Sequence, residues 1–379
     1  MLSPSPASRT RAGQFPLLHE DDTVKSSGGV ATGAGTDEAP ILIVPYMWIG
    51  DFVRCHSVVG LLRQRFPGRP VDMLANTTVA PLVDYMPGVR KAVVVDLPRK
   101  RLPPLLYYRL AGRLRSEGYG QVLVMPRTWK AAVAPVLAGI ALRTGFAGEA
   151  RFGLINDMRW GERALPRMVD RCAVLALPKG HDLPPAWPQP ELAVTALELS
   201  AWRERLGVAG DRSPIVALAP GAVGPAKRWP MESYAELASC LAAEGARVWV
   251  LGGPGERDIA AQIVAAAPTA VRDLTGSDLR NAVLALAAAD LAVSNDSGLL
   301  HVAAALGRPT IGIFGPTSPW HWAPLNPLAD VVEIAGELPC RPCHKPRCRL
   351  GHHQCMRDIA VERLMQAVRG VLSGSRSPP

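Results

Sequence analysis

The chain has 379 residues, more than the roughly 150 that one core usually holds, so two domains are expected. Apolar residues make up 48% of it, enough for large cores, yet no apolar run reaches the roughly 18 residues of a membrane-spanning helix. The net charge of +9 points to an acidic partner, whether nucleic acid, anionic membrane or phosphorylated substrate, and does not choose among them.

Residues 1–39 are polar, begin with no basic-then-apolar signal, and read as a disordered extension. A cytoplasmic protein is expected. Seven cysteines, an odd count, argue against a disulfide framework.

Order begins at Ile41, where Ile41–Pro45 reads as a buried strand. The loop Trp48–Gly50 leads into a helix over 51–66, stopped by Pro67, Gly68 and Pro70. Strands follow at 71–74, 91–96 and 122–125, alternating with helices at 80–85, 106–117 and 130–142. Residues 178–213, with Pro184, Pro185, Pro188 and Pro190, read as the linker region.

A second series starts at Ile215–Ala219. It has strands at 248–252, 291–294 and 310–314 and helices at 231–244, 256–266, 279–289 and 299–306. Strand alternating with helix, twice, predicts two parallel sheets with helices on both faces and a ligand cleft at the strand carboxyl ends. The boundaries expected are 40–185, a linker at 186–213, 214–355, and a last segment, 356–379.

Five segments carry groups suited to chemistry. Gly50 lets the chain turn out of the first strand, and Asp51 then stands at a helix start and a strand carboxyl end. It reads as a general base in a cleft or as a helix cap. Gly221–Pro230 is a Gly-rich turn between strand and helix, with Lys227 and Arg228 as donors to diphosphate oxygens; it lacks the Walker pattern, and a solvated basic turn is the other reading.

Ser294–His301 joins a strand to an Ala-rich helix. The N–H groups of Ser297 and Gly298 suit an anion, and His301 lies a turn further on, where a core histidine is the alternative. Asp296 would repel a diphosphate and is assigned to sugar hydroxyls or to holding the loop. A third turn, Gly252–Glu256, offers Glu256 to ribose hydroxyls or is a surface turn.

Cys340, Cys343, Cys348 and Cys355 span 16 positions, so they are zinc candidates or thiols packing a Pro-rich loop. Arg99, Lys100, Arg101, Arg127, Lys130, Arg143 and Arg151 make the first half basic, suited to acidic head groups of a lipid acceptor or to a solvated face. Of these, Arg127 and Lys130 follow a strand end. No nucleic-acid motif accompanies the charge.

Several stretches, in this order, resemble the lipopolysaccharide heptosyltransferases of glycosyltransferase family 9. They are Ile49–Asp51, Arg143–Phe146, Arg151–Asp157, Gly224–Pro230, Asn295–His301, Gly312–Thr317 and the cysteine segment ending Gly351–Cys355. The likeness covers roughly residues 41–370. It implies a GT-B fold of two facing Rossmann-like domains and an inverting transfer that needs no cofactor or metal. It also implies an ADP-heptose donor, held mainly by the C-terminal domain. The implied acceptor is Kdo–lipid A carrying one heptose, on the N-terminal domain at the inner membrane.

By the same likeness Asp51 is the base and Lys227 neutralises the diphosphate. It also implies that Asp296, Gly298 and His301 line the donor pocket and that the last helix, Val361 to Val371, crosses back onto the first domain. From the residues themselves, Gly50, Gly221, Arg228, Glu256 and Ser297 are further donor-binding candidates, and Arg127, Lys130 and Arg143 are acceptor-binding candidates. A relative with another nucleotide sugar or acceptor, and a non-catalytic nucleotide-binding module, are the alternatives. Arg127–Lys130 and the short spacing around Val223 depart from the family pattern.

Overall fold

The computed structural model describes residues 38–98, 101–165, 167–184, 186–210 and 212–374. The expected extension falls outside these residues except for its last two, as do Arg99 and Lys100.

Among the described residues, twelve strands form two six-stranded sheets, parallel throughout. The first contains β1 (Ile41–Val44), β2 (Val71–Ala75), β3 (Val89–Val94), β4 (Gln121–Val124), β5 (Leu142–Phe146) and β6 (Asp157–Arg159), in the order β3-β2-β1-β4-β5-β6. The second contains β7 (Ile215–Ala219), β8 (Arg247–Val250), β9 (Val271–Asp273), β10 (Leu291–Asn295), β11 (Thr310–Ile313) and β12 (Ala329–Val332), in the order β12-β11-β10-β7-β8-β9. The fully apolar runs β1 and β7 lie centrally, buried at every residue, as strands covered on both faces must be.

The first sheet carries α1 (Ile49–Arg54), α2 (His56–Arg65), α3 (Ala80–Val83), α4 (Pro104–Ser116), α5 (Lys130–Leu137) and α6 (Met168–Ala173). The expected helix over 51–66 is two helices, broken at Cys55. The helix expected to reach residue 142 stops at Leu137, because the chain turns at Gly139 (φ 76°) and re-enters the sheet as β5.

In the connecting segment, α7 (Ala196–Leu206) starts on Thr195, whose Oγ1 accepts the Glu198 N–H at 3.2 Å. Its Trp202 packs edge-on against Trp249, 5.7 Å between centroids. One apolar cluster runs from β1 through Trp202 to Val283, so the two sheets share a core.

The second sheet carries α8 (Met231–Ala243), α9 (Arg257–Ala266), α10 (Leu279–Ala288), α11 (Gly298–Ala305), α12 (Pro319–Trp322), α13 (Gln354–Arg357) and α14 (Val361–Leu372). The last of these corrects an expectation. The apolar face of α14 (Val361, Leu364, Met365, Ala367, Val368) packs with residues of β7, β8, β10 and α8, so it covers the second domain and does not return to the first. No helix among the described residues is long and apolar enough to cross a membrane.

Candidate active site

The chemistry gathers where α1 of the first domain meets α11 of the second. Both helices start at the carboxyl end of a central strand, β1 and β10, as crossover geometry requires. A Cβ built on Gly50 would fall 2.6 Å from His301 Cδ2, and one on Gly298 would fall 2.7 Å from Ile49 Cβ. These two glycines let the backbones approach.

Asp51, in the first turn of α1, projects into this junction. Its side chain is 14% exposed, and Arg54 Nη2 donates to Oδ1 at 2.7 Å. Burial raises its carboxyl above the ordinary range, Arg54 opposes the rise, and Asp296 and Lys227 of the other domain also act on it. The residue before Asp51, Gly50, packs on His301 of α11, so Asp51 stands at the junction of the two domains.

Lys227 closes a short 3-10 turn, Pro225–Lys227, after β7. Its Nζ donates to Asp296 Oδ2 at 2.6 Å, and Thr317 Oγ1 donates to the same oxygen at 2.8 Å. Asp296 therefore holds the loop and the lysine. Asn295, fully buried, accepts the Trp229 N–H at 3.1 Å and donates to Pro220 O at 2.6 Å, which ties the turn after β7 to the one after β10. The two Gly-rich turns are therefore neighbours. Ser297 holds the N-cap position of α11 without a side-chain bond to the first turn, and its Oγ lies 3.0 Å from Ser294 Oγ.

His301 is 3% exposed, and its Nδ1 has no hydrogen-bond partner. Burial holds its pKa well below the usual histidine value, with Arg54 and Lys227 adding to that, so it packs as a neutral ring. Glu256, Gly221 and Arg228 form a second group. A Cβ on Gly221 would meet Glu256 at 2.9 Å, Glu256 Oε2 accepts the Gly253 N–H at 2.9 Å, and Arg228 Nη2 stands 3.9 Å from Glu256 Oε1.

The proposed acceptor residues divide. Arg127 and Lys130 lie at the carboxyl end of β4, with Arg127 Nε 2.9 Å from Glu162. Arg143 is not brought to the cleft. It stands at the amino end of β5, and its guanidinium is spent on the carbonyls of Ile140 and Leu154, at 2.6 and 2.8 Å. Arg151 is likewise buried, donating to the carbonyls of Phe146 and Pro126.

The four candidate cysteines are free thiols, and among the described residues no group of three or more His, Cys, Asp or Glu side chains is placed to hold a metal. The cysteine segment instead braces the lysine turn: the Ala226 N–H donates to Pro346 O at 3.1 Å, and His353 Nε2 lies 2.8 Å from Ala226 O.

Sequence reasoning missed Arg54, Asn295 and Thr317. Arg54 left a local signal, an i,i+3 acid–base pair with Asp51 on one helix, while Asn295 and Thr317 stood only as end residues of family-like stretches, with no role attached. Its guanidinium also lies 4.9 Å from the Trp322 ring of the second domain.

Two facing nucleotide-fold domains with a carboxylate set against a lysine-bearing turn across their junction define a glycosyltransferase of GT-B architecture. The family model for glycosyltransferase family 9 (heptosyltransferase) matches residues 107–354. Lipopolysaccharide heptosyltransferase 2 of Escherichia coli strain K12 is 36% identical, covering 88% of this chain and 98% of that protein. Lipooligosaccharide heptosyltransferase 2 of Haemophilus influenzae is 36% identical, covering 88% and 99%. The solved structure of E. coli ADP-heptose LPS heptosyltransferase II superposes with a TM-score of 0.78 at 34% identity, covering 89% of this chain and all of that one. The chain belongs to glycosyltransferase family 9, the heptosyltransferases.

Proposed function

We propose that this protein transfers L-glycero-D-manno-heptose from ADP-heptose to the first heptose of the lipopolysaccharide inner core, with inversion at the anomeric carbon. The observation that carries this reading is the close packing of α1, which bears Asp51, on α11, whose preceding loop bears Asp296, the partner of Lys227. The 36% identity to heptosyltransferases 2 over nearly their full length supports the sugar and the acceptor class.

In a single displacement, Asp51 takes the proton from the acceptor hydroxyl as its oxygen attacks the anomeric carbon. The bond to the ADP oxygen breaks on the opposite face. Lys227, and the N–H groups at the start of α11, take up the charge that develops on the diphosphate. Asp296 and Thr317 keep the lysine aimed before the donor arrives. Gly221, Arg228 and Glu256 form the neighbouring wall, suited to the nucleoside end of the donor. Arg127 and Lys130 face the acceptor from the β4 end. The scheme calls for no metal ion. The acceptor is lipid-borne, so the protein works at the cytoplasmic face of the anionic inner membrane.

The test is incubation with ADP-heptose and a truncated inner-core acceptor carrying one heptose, with products read by mass. A gain of one heptose residue is expected. No gain, or an equal gain from a uridine diphosphate sugar, would overturn the assignment.

A further inference from the structure

The second-domain side of the cleft is accounted for, but the outer face of α4 is not. Between Asp96 and Glu117 the chain carries six basic residues and no acid. Glu117 is already paired with Arg90 and Lys91, and Asp96 accepts from Thr77. Along α4, Tyr107, Leu110, Ala111 and Leu114 face the core. The opposite stripe at helical spacing (Leu105, Tyr108, Arg109) is exposed, with Leu105 60% and Tyr108 66% accessible, and Arg101 stands exposed just before the helix. Leu105 and Tyr108, adjacent on one helix face and set among arginines, make a mixed apolar and basic face suited to contact.

Position adds to composition. α4 follows β3 in a parallel sheet, so its first turns lie at the carboxyl edge, the edge that carries Asp51, Arg127 and Lys130. α5 packs beside α4 and starts at the same edge, with Trp129 at its cap 36% exposed. Leucine and tyrosine interleaved with arginine suit a bilayer interface: the apolar parts enter the acyl boundary while guanidinium groups reach anionic head groups.

The geometry points to this face, Arg101, Leu105, Tyr108 and Arg109 on α4 with Trp129 beside it, as the surface that docks the enzyme on an anionic lipid bilayer. It presents the carboxyl edge of the first sheet to a lipid-borne acceptor. This rests on the reading above only in taking the acceptor to be membrane-borne.

The experiment is co-sedimentation of the full chain with vesicles of phosphatidylcholine alone or of equal parts phosphatidylcholine and phosphatidylglycerol. The wild type is expected to bind only the anionic vesicles and to be released by high salt. Leu105→Glu combined with Tyr108→Glu should lower the partition coefficient about tenfold or more. Transfer to a water-soluble truncated acceptor should stay intact in that variant. Should the double variant fold poorly, Arg101→Ala and Arg109→Ala decide the matter, each with an expected loss of about fivefold.

Failure of the wild type to bind anionic vesicles, equal binding to neutral ones, or unchanged binding of these variants overturns the proposal. An inactive wild type on the soluble acceptor would instead count against the proposed function and leave the docking result standing.

Discussion

Gly50 and His301 touch across the domain junction, so closely that a Cβ on Gly50 would fall 2.6 Å from the imidazole Cδ2. The ring is buried. Gly50→Ala should therefore push the first turn of α1 away from α11. Overpacking of this kind costs about 1–3 kcal/mol. Thermal unfolding should show that loss, and transfer should fall more than ADP binding, because the base moves while the donor turns stay in place.

Arg54 is read as a positioning residue for Asp51. Burial drives the Asp51 carboxyl upward, and Arg54 is the largest influence holding it down. A base works only when deprotonated, so transfer should fall on the acid side with a midpoint above the ordinary aspartate range. Arg54→Gln removes the opposing charge and should move that midpoint to higher pH. An unmoved acid limb, with only a uniform drop in rate, would reduce Arg54 to a structural part.

Lys227 is held at its tip by Asp296 and braced along its turn by the cysteine segment. Lys227→Ala should lower kcat by about 100- to 1000-fold, as loss of a preorganised donor to a developing anion does. His353→Ala, which removes the contact to Ala226 O, should give a smaller drop in the same parameter. Steady-state kinetics with saturating donor would separate these from a simple loss of affinity.

Stability should weaken in mild acid. Burial holds the pKa of His56 below the usual 6.5, and its ring is tied at both nitrogens, 2.8 Å from Pro87 O and accepting the Glu191 N–H at 3.0 Å. The acceptor nitrogen must stay unprotonated. Below pH 6.5 the unfolded chain binds the proton more readily than the folded one, so stability is full above that pH and is lost as pH falls. His301, also shifted downward, adds to the same slope. The unfolding temperature measured from pH 7.5 to 5 should decline, and His56→Gln should flatten the decline.

The central strands and the helices between them were legible because unbroken apolar runs such as Ile41–Val44 and Ile215–Ala219 have few other uses. The strands β5, β6 and β9 were not. β6 and β9 are three residues each, mostly polar and partly exposed, and β5 contains Arg143 and Thr144, so no apolar pattern marks them. Their parallel neighbours supply what the local sequence lacks. The amphipathic pattern of α14 told that it would pack but not on which domain. At the site, Asp51 and the two Gly-rich turns could be read from their places at strand ends. Asn295 and Thr317 act through hydrogen bonds between distant segments, which no spacing rule encodes.

The most direct test pairs two measurements on Asp51→Ala: transfer of heptose to the acceptor, and binding of ADP. The two-domain division of labour predicts that transfer falls about 100- to 10,000-fold while ADP affinity stays near that of the wild type. Wild-type transfer in the variant, or ADP binding lost together with transfer, would contradict it.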